Sequence, residues 1–311
     1  MTLACFSELL VNQKTRGETR LEKIEALINW GRLDYRLIKI LGRSGLGPTG
    51  YPPLMLFKAL ILQHLYGLSD PALEEMLYDR LSFRRFCGLS LTDKIPDETT
   101  ICRFRAALSG KVKTLFDLVL DDLATRGITL KTGAIVDASV IESSVGRPRG
   151  GTVNTADPQA GWTKKGGKYH HGFKAHVSCD TQGLVKDVLV TGADVADCLV
   201  FGQLLDGSET AVYADKAYGS AKNRKLLADH GIEDHLMYKK QKVKKQPSWQ
   251  VWLNKLWGRT RTAVERVFGH WKAVLGVRRC RYVGVQKVQD HMTFVALTYN
   301  LMRATKLKPA F

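Results

Sequence analysis

The chain has 311 residues, 44% of them hydrophobic and 25% charged, which excludes disorder throughout and suits one large domain or two ordinary ones. Lys and Arg number 47 against 30 Asp and Glu, a net charge of +17 at neutral pH. The apolar run at 59–62 is interrupted by Lys58 and Gln63, so no membrane span is expected, and no secretory signal is expected from the first residues.

The part up to residue 130 reads as helical. Residues 21–41 carry Ile24, Leu27, Ile28, Leu37, Ile38 and Leu41 at mostly helical spacing, with an interruption around Gly31. The Gly- and Pro-rich stretch 42–53 is expected to be a loop. Three helices should follow: 54–66 after two prolines, 70–81 capped by Ser69 or Asp70, and 97–108 opened by Asp97. Short helices in succession, the last carrying Arg103 and Arg105, fit a helix-turn-helix reader of DNA. They fit equally well an all-helical packing module with surface arginines.

From residue 131 the texture changes. Segments 134–136, 173–179, 184–190, 211–214 and 236–238 read as short strands, and 196–205, 220–230 and 259–274 as helices. Three strands followed by alternating helices predict an α/β fold, a mixed sheet covered by helices. Residues 144–172, rich in Gly, Lys, Thr and His, are expected to form one long loop. The domain boundaries predicted are 1–130 and 131–311.

Six cysteines are scattered without a Cys-x-x-Cys pair, which points to reduced thiols in the cytoplasm rather than a disulfide framework. The positive charge is not scattered. Residues 239–311 hold 17 basic and only 2 acidic side chains. Such a concentration of one sign points to a polyanionic partner, nucleic acid foremost. A mere solubilising tail would not also contain Trp249, Trp252, Trp257, Phe268, Trp271 and Tyr282.

Asp137 and Asp215 each follow a short apolar strand, and acids there are costly unless paired or bound to metal. Two such strands can bring both carboxylates to one edge of a sheet. Glu265 is one of the two acids in the basic segment. On a helix, Arg261, Glu265 and Lys272 fall within about 40° of one another, beside an apolar stripe of Val264, Val267, Trp271 and Val274. Three convergent carboxylates beside a polyanion-binding surface suit Mg2+, a hard cation that keeps positions open for phosphate and water. Each acid alone could equally be a strand-end turn residue or a surface ion-pair partner. Lys164, Lys165 and Lys168, with Trp162, could grip DNA from the long loop. His170, His171 and His176 match no zinc spacing, and 146–151 is not a phosphate loop because no Gly-Lys-Ser/Thr follows.

These motifs together resemble a bacterial insertion-sequence transposase of the DDE type, in the group named for insertion sequence five, within the superfamily named for insertion sequence four. Val136-Asp-Ala-Ser139 is similar to the family's first-Asp motif and Tyr213-Ala-Asp-Lys-Ala-Tyr-Gly219 to its second. Arg261, Glu265 and Lys272 fit the third motif, with Gly258 where the superfamily has Tyr. Tyr51 through Lys58, Pro96 through Arg105, Gly161 through His176, Val264 through Gly269 and Asn300 through Arg303 also resemble the group's text.

The resemblance implies a ribonuclease H-like core preceded by an all-helical N-terminal domain. Asp137, Asp215 and Glu265 would be both catalytic and metal ligands, for two Mg2+ ions with Mn2+ as a substitute. The implied activity is hydrolytic nicking at insertion-sequence ends and joining of the freed 3′-hydroxyl to target DNA. Arg261, Lys272, Arg103, Arg105, Lys164, Lys165 and Lys168 are the expected DNA contacts. The expected partners are double-stranded DNA, as terminal inverted repeats and target, and further copies of the chain in a homodimer or higher oligomer. No membrane partner is expected, and the site of action is the bacterial cytoplasm, at the nucleoid. A metal-dependent nuclease without strand transfer, and a domesticated non-catalytic DNA-binding protein, are the alternatives.

Overall fold

The computed structural model describes residues 19–42, 50–128, 130, 133–145, 156–240 and 245–307. Most of the predicted 42–53 loop and the 146–151 stretch lie outside these residues. Among the described residues seven helices come first: α1 Arg20–Leu27, α2 Trp30–Leu41, α3 Pro53–Tyr66, α4 Asp70–Asp79, α5 Leu81–Cys87, α6 Glu98–Ala107 and α7 Val112–Thr125. The break in the first stretch falls at Ile28 and Asn29 rather than at Gly31, because the Asn29 side chain caps α2 by accepting from the Arg32 N–H. The predicted helix 70–81 ends at Asp79, and α5, which periodicity did not separate, starts after the extended Arg80. Helix α3 is buried on every side from Met55 to Leu65, Lys58, Gln63 and His64 included. That makes it the centre of the helical part.

The sheet has six strands: β1 Gly133–Glu142, β2 Gly161–Lys165, β3 Lys168–Cys179, β4 Val185–Gly192, β5 Ala211–Ala214 and β6 Glu233–Leu236. β1, β3 and β4 are antiparallel neighbours, while β5 and β6 run parallel to β1 on its other side. β2 and β4 pair with successive lengths of β3. The long loop expected over 144–172 is thus corrected: its second half is a hairpin. Gly166 and Gly167, at φ 58° and 79°, make the two-residue turn that brings Lys165 opposite Lys168, a turn that requires positive φ twice. Its polar composition hid the strand period. The last strand is Glu233–Leu236, earlier than the predicted 236–238, because the alternation there is masked by His and Asp.

Helices α8 Asp197–Val200 and α9 Ala221–Asp229, with 3-10 turns at Phe201–Leu204 and Lys216–Tyr218, cover one face of the sheet. There Ala134, Val136, Val212 and Ala214 meet Phe201, Leu204, Tyr218 and Leu227. The other face carries α10 Ser248–Ala273 and α11 Val285–Ala304. Helix α10 begins eleven residues before the predicted 259. The sequence reading did not assign α11. It lies against β4 and against α7, α3 and α1, so one continuous core joins the helical part to the sheet.

Helix α11 also closes an open sheet edge. Asn300 accepts from the Val185 N–H at 2.9 Å and donates to its carbonyl at 2.8 Å. Gln289 treats Val190 and Val188 likewise, at 2.7 and 2.8 Å. Two amide side chains thereby occupy backbone groups of β4 that another strand could otherwise pair with.

Candidate active site

Strand β5 pairs with β1 only as far as Ala214 opposite Val136. The next residues, Asp215 and Asp137, therefore stand side by side just past the last pair of two parallel strands. Asp137 is not at a strand end, as the sequence suggested. β1 runs on to Glu142 against β3, and it is β5 that stops. Asp137 shares a face with Ile135 and Ile141, the face on which α10 packs.

From α10, Arg261 reaches both acids. Its Nη2 donates to Asp137 Oδ2 at 2.7 Å, and its Nη1 lies 3.8 Å from Asp215 Oδ1. Asp137 Oδ1 accepts from the Ala138 N–H at 2.8 Å, and Asp215 Oδ1, the oxygen that faces Arg261, accepts from the Lys216 N–H at 2.7 Å. Burial pushes the Asp137 carboxyl above the usual carboxylate range, with the Arg261 charge pulling the other way. Its ionised form therefore favours a nearby cation.

Glu265 follows Arg261 by four residues on α10 and is exposed. Among the described residues no three His, Cys, Asp or Glu side chains converge closely enough to hold a metal ion. The structure thus brings Asp137 and Asp215 together around Arg261, with the exposed Glu265 one turn further along α10.

Two family models match the chain. One, described as a transposase DDE domain, matches residues 129–301; the other, described as a transposase domain (DUF772), matches residues 9–107. The chain belongs to the DDE transposase family. Membership implies a divalent-metal-dependent enzyme of DNA cleavage and transfer. Among solved structures, the chain is similar to a piggyBac transposase synaptic complex with hairpin DNA, at 9% identity over 95% of this chain and 83% of that one, with a TM-score of 0.42.

The other residues singled out in this DDE transposase are placed as follows. Lys272 is half-buried near the end of α10. Burial first, then Lys165 and Arg278, lower its ammonium pKa. Lys165 of the hairpin and Lys272 of the helix therefore share one electropositive neighbourhood. Lys164, Lys165 and Lys168 are exposed around the hairpin tip, with Lys164 over the Tyr169 ring at 5.2 Å. Val264, Val267 and Trp271 are buried as expected, but Val274 is 52% exposed, because α10 ends at Ala273.

The two arginines of α6 part company. Arg103 is exposed. Arg105 is ion-paired with Asp70 at the start of α4 and donates to Gln63 of α3 at 3.0 Å, a fastening between three helices. Of the histidines, His176 is buried and bonds Thr191 at 3.0 Å, His171 is buried against Trp162, and His170 meets Glu142 at 3.2 Å.

Sequence reasoning missed Met237. Its Sδ accepts from Arg261 Nη1 at 3.6 Å, and its methyl would lie 3.3 Å from a Cβ added at Gly258. Gly258 therefore leaves the room in which Met237 backs the arginine. Next to it, Trp257 fills a gap between β6 and α10, its ring centroid 5.2 Å from His235 and 5.8 Å from Tyr238.

Proposed function

We propose that this protein cuts DNA at insertion-sequence ends and joins the freed 3′-hydroxyl to target DNA, using a ribonuclease H-like core. The single observation that carries the reading is the juxtaposition of Asp137, within β1, and Asp215, just past the end of the parallel β5, with the helix bearing Arg261 and Glu265 across them. The order of three antiparallel strands followed by two parallel ones supports the core assignment. The motif text around Tyr213, Glu265 and Asn300 supports placement in the group named for insertion sequence five.

The donor set suits a hard divalent cation. Asp137 and Asp215 offer carboxylate oxygens, and the cost of ionising a buried Asp137 would fall beside a cation. Asp137, Asp215 and Glu265 are the residues that would hold Mg2+. Bound there, the metal would stabilise charge on the phosphate and lower the pKa of an attacking water.

The chain's own residues do the rest. β1 and β5 fix the spacing of the two acids, and α10 carries Glu265 one turn beyond Arg261. Lys272, with Lys165 of the hairpin, offers cations to the phosphates of the strand being cut, where fixed positive charge is most useful. Lys164, Lys168 and the exposed Arg103 supply backbone contacts that position the duplex. Lys272→Ala should slow single-turnover cleavage more than it weakens end binding. If cleavage falls only in proportion to binding, Lys272 is an ordinary phosphate contact.

A further inference from the structure

Arg261 occupies the place where the two acids would meet a cation. It is 8% exposed, and its guanidinium contacts Asp137 Oδ2 and Asp215 Oδ1 with two different nitrogens. Its Nε is buried with no hydrogen-bond partner, and Met237 backs its Nη1. One cation thus serves two anions that would otherwise repel across adjacent strands. A guanidinium is a rigid planar fork suited to bridging carboxylates.

We propose that Arg261 is an internal occupant of the carboxylate site, which a divalent ion must displace, and that bound DNA draws it out. The inference rests on the carboxylate reading above. The same oxygens cannot serve the guanidinium and a metal at full strength, so Arg261 and the ion compete. The released side chain lies on the stripe of α10 that carries Glu265 and Lys272, where a DNA phosphate is the natural anion for it. DNA and metal then help each other bind through one side chain with two positions. By linkage each must raise the affinity of the other by the same factor. Metal-loaded enzyme is thereby scarce until DNA is present. Arg261 acts here as a positioning residue, since its effect passes through the acids.

The test is Mn2+ binding to the full-length protein, read by the loss of the free-ion electron paramagnetic resonance signal, without and with a short end-containing duplex. Asp137→Asn, measured in parallel, gives the Mn2+ taken up by DNA and by unrelated sites. The wild type should bind Asp137-dependent Mn2+ roughly tenfold or more tighter with the duplex than without it. Arg261→Gln should bind Mn2+ tighter than wild type in the absence of DNA and gain little from the duplex. Arg261→Lys keeps the charge without the fork and should fall between, and it serves as the reading if Arg261→Gln does not fold. Asp137-dependent binding that is no tighter in either variant than in wild type without DNA overturns the competition. A duplex effect of full size in Arg261→Gln overturns the coupling. Mn2+ binding untouched by Asp137→Asn overturns the carboxylate site itself.

Discussion

Lowering the pH from 7 to 5 should weaken the fold by about 2 kcal/mol at each of two buried histidines. His64, on α3, is buried. Its ring bonds the Leu60 carbonyl at 2.7 Å and His291 at 3.2 Å and stacks on Phe294. Burial first, helped by the charges of Arg105 and Arg281 and opposed by the Leu60 hydrogen bond, lowers its pKa to about 4. His176, on β3, is fully buried against Thr191 and is likewise lowered to about 4 by burial. Both folded pKa values lie below the ordinary value near 6.5. The stability these neutral rings contribute is therefore complete above pH 6.5 and is lost as the pH falls toward 4. At pH 5 an unfolded histidine is almost fully charged while either of these is still mostly neutral, hence the size of the effect. Asp137 and Asp187, whose pKa values are raised mainly by burial, act with the opposite sign as the pH falls toward the ordinary carboxylate range. The slope should thus be steepest between pH 6.5 and 5. Urea unfolding at pH 7, 6 and 5 measures it, and His64→Gln and His176→Gln should each remove about 2 kcal/mol of the change, the buried His291, whose pKa burial likewise lowers, keeping a further part of it. An unfolding free energy that is flat over this range, or a slope kept in full by both variants, refutes the burial argument.

Three further outcomes follow from the charge distribution and from α10. DNA affinity should fall steeply with salt, each phosphate neutralised adding about −0.9 to the log–log slope, and a slope near zero would show that the segment with 17 basic residues does not touch the backbone. Arg105→Ala should cost about 3 kcal/mol of stability by leaving Asp70 without its partner, whereas Arg103→Ala should change stability by less than about 0.5 kcal/mol; equal losses in thermal melts would contradict their separate roles. Gly258→Ala should gain about 0.5–1 kcal/mol from helix propensity, less whatever moving the Met237 methyl costs. A fall in melting temperature of several degrees would mean that Met237 cannot give way.

The parts of the fold written in short-range periodicity were legible in the sequence. Strand β5 and the limits of α6 and α9 follow from apolar runs bounded by Asp, Ser and Gly signals. The hairpin of β2 and β3 was hidden because its tip is all Lys, Gly and Tyr, so neither face shows an apolar alternation. Helix α11 was missed because from Met292 to Met302 it is buried on every side, Thr293, Thr298 and Asn300 included, so no exposed polar face sets its phase. At the site, the adjacency of Asp137 and Asp215 could be expected from two strands each followed by an acid. The role of Arg261 between them could not, since helical spacing gives a side chain's stripe but not which anion it meets. Arg105 shows the same limit. Its sequence context matches that of Arg103, and only the approach of α4 and α3 commits it to Asp70 and Gln63.

The central claim is that Asp137, Asp215 and Glu265 act as one metal-binding set although Glu265 is exposed one turn beyond Arg261. It is tested most directly by single-turnover cleavage and joining of an end-containing duplex with Mg2+, comparing wild type with Asp137→Asn, Asp215→Asn and Glu265→Gln. Each variant should bind the duplex within about twofold of wild type, since affinity comes mainly from phosphate contacts. Each should cleave it at least roughly a hundredfold more slowly, because every ligand is needed. Near-normal cleavage by Glu265→Gln, with the two Asp variants inactive, would contradict the three-acid site.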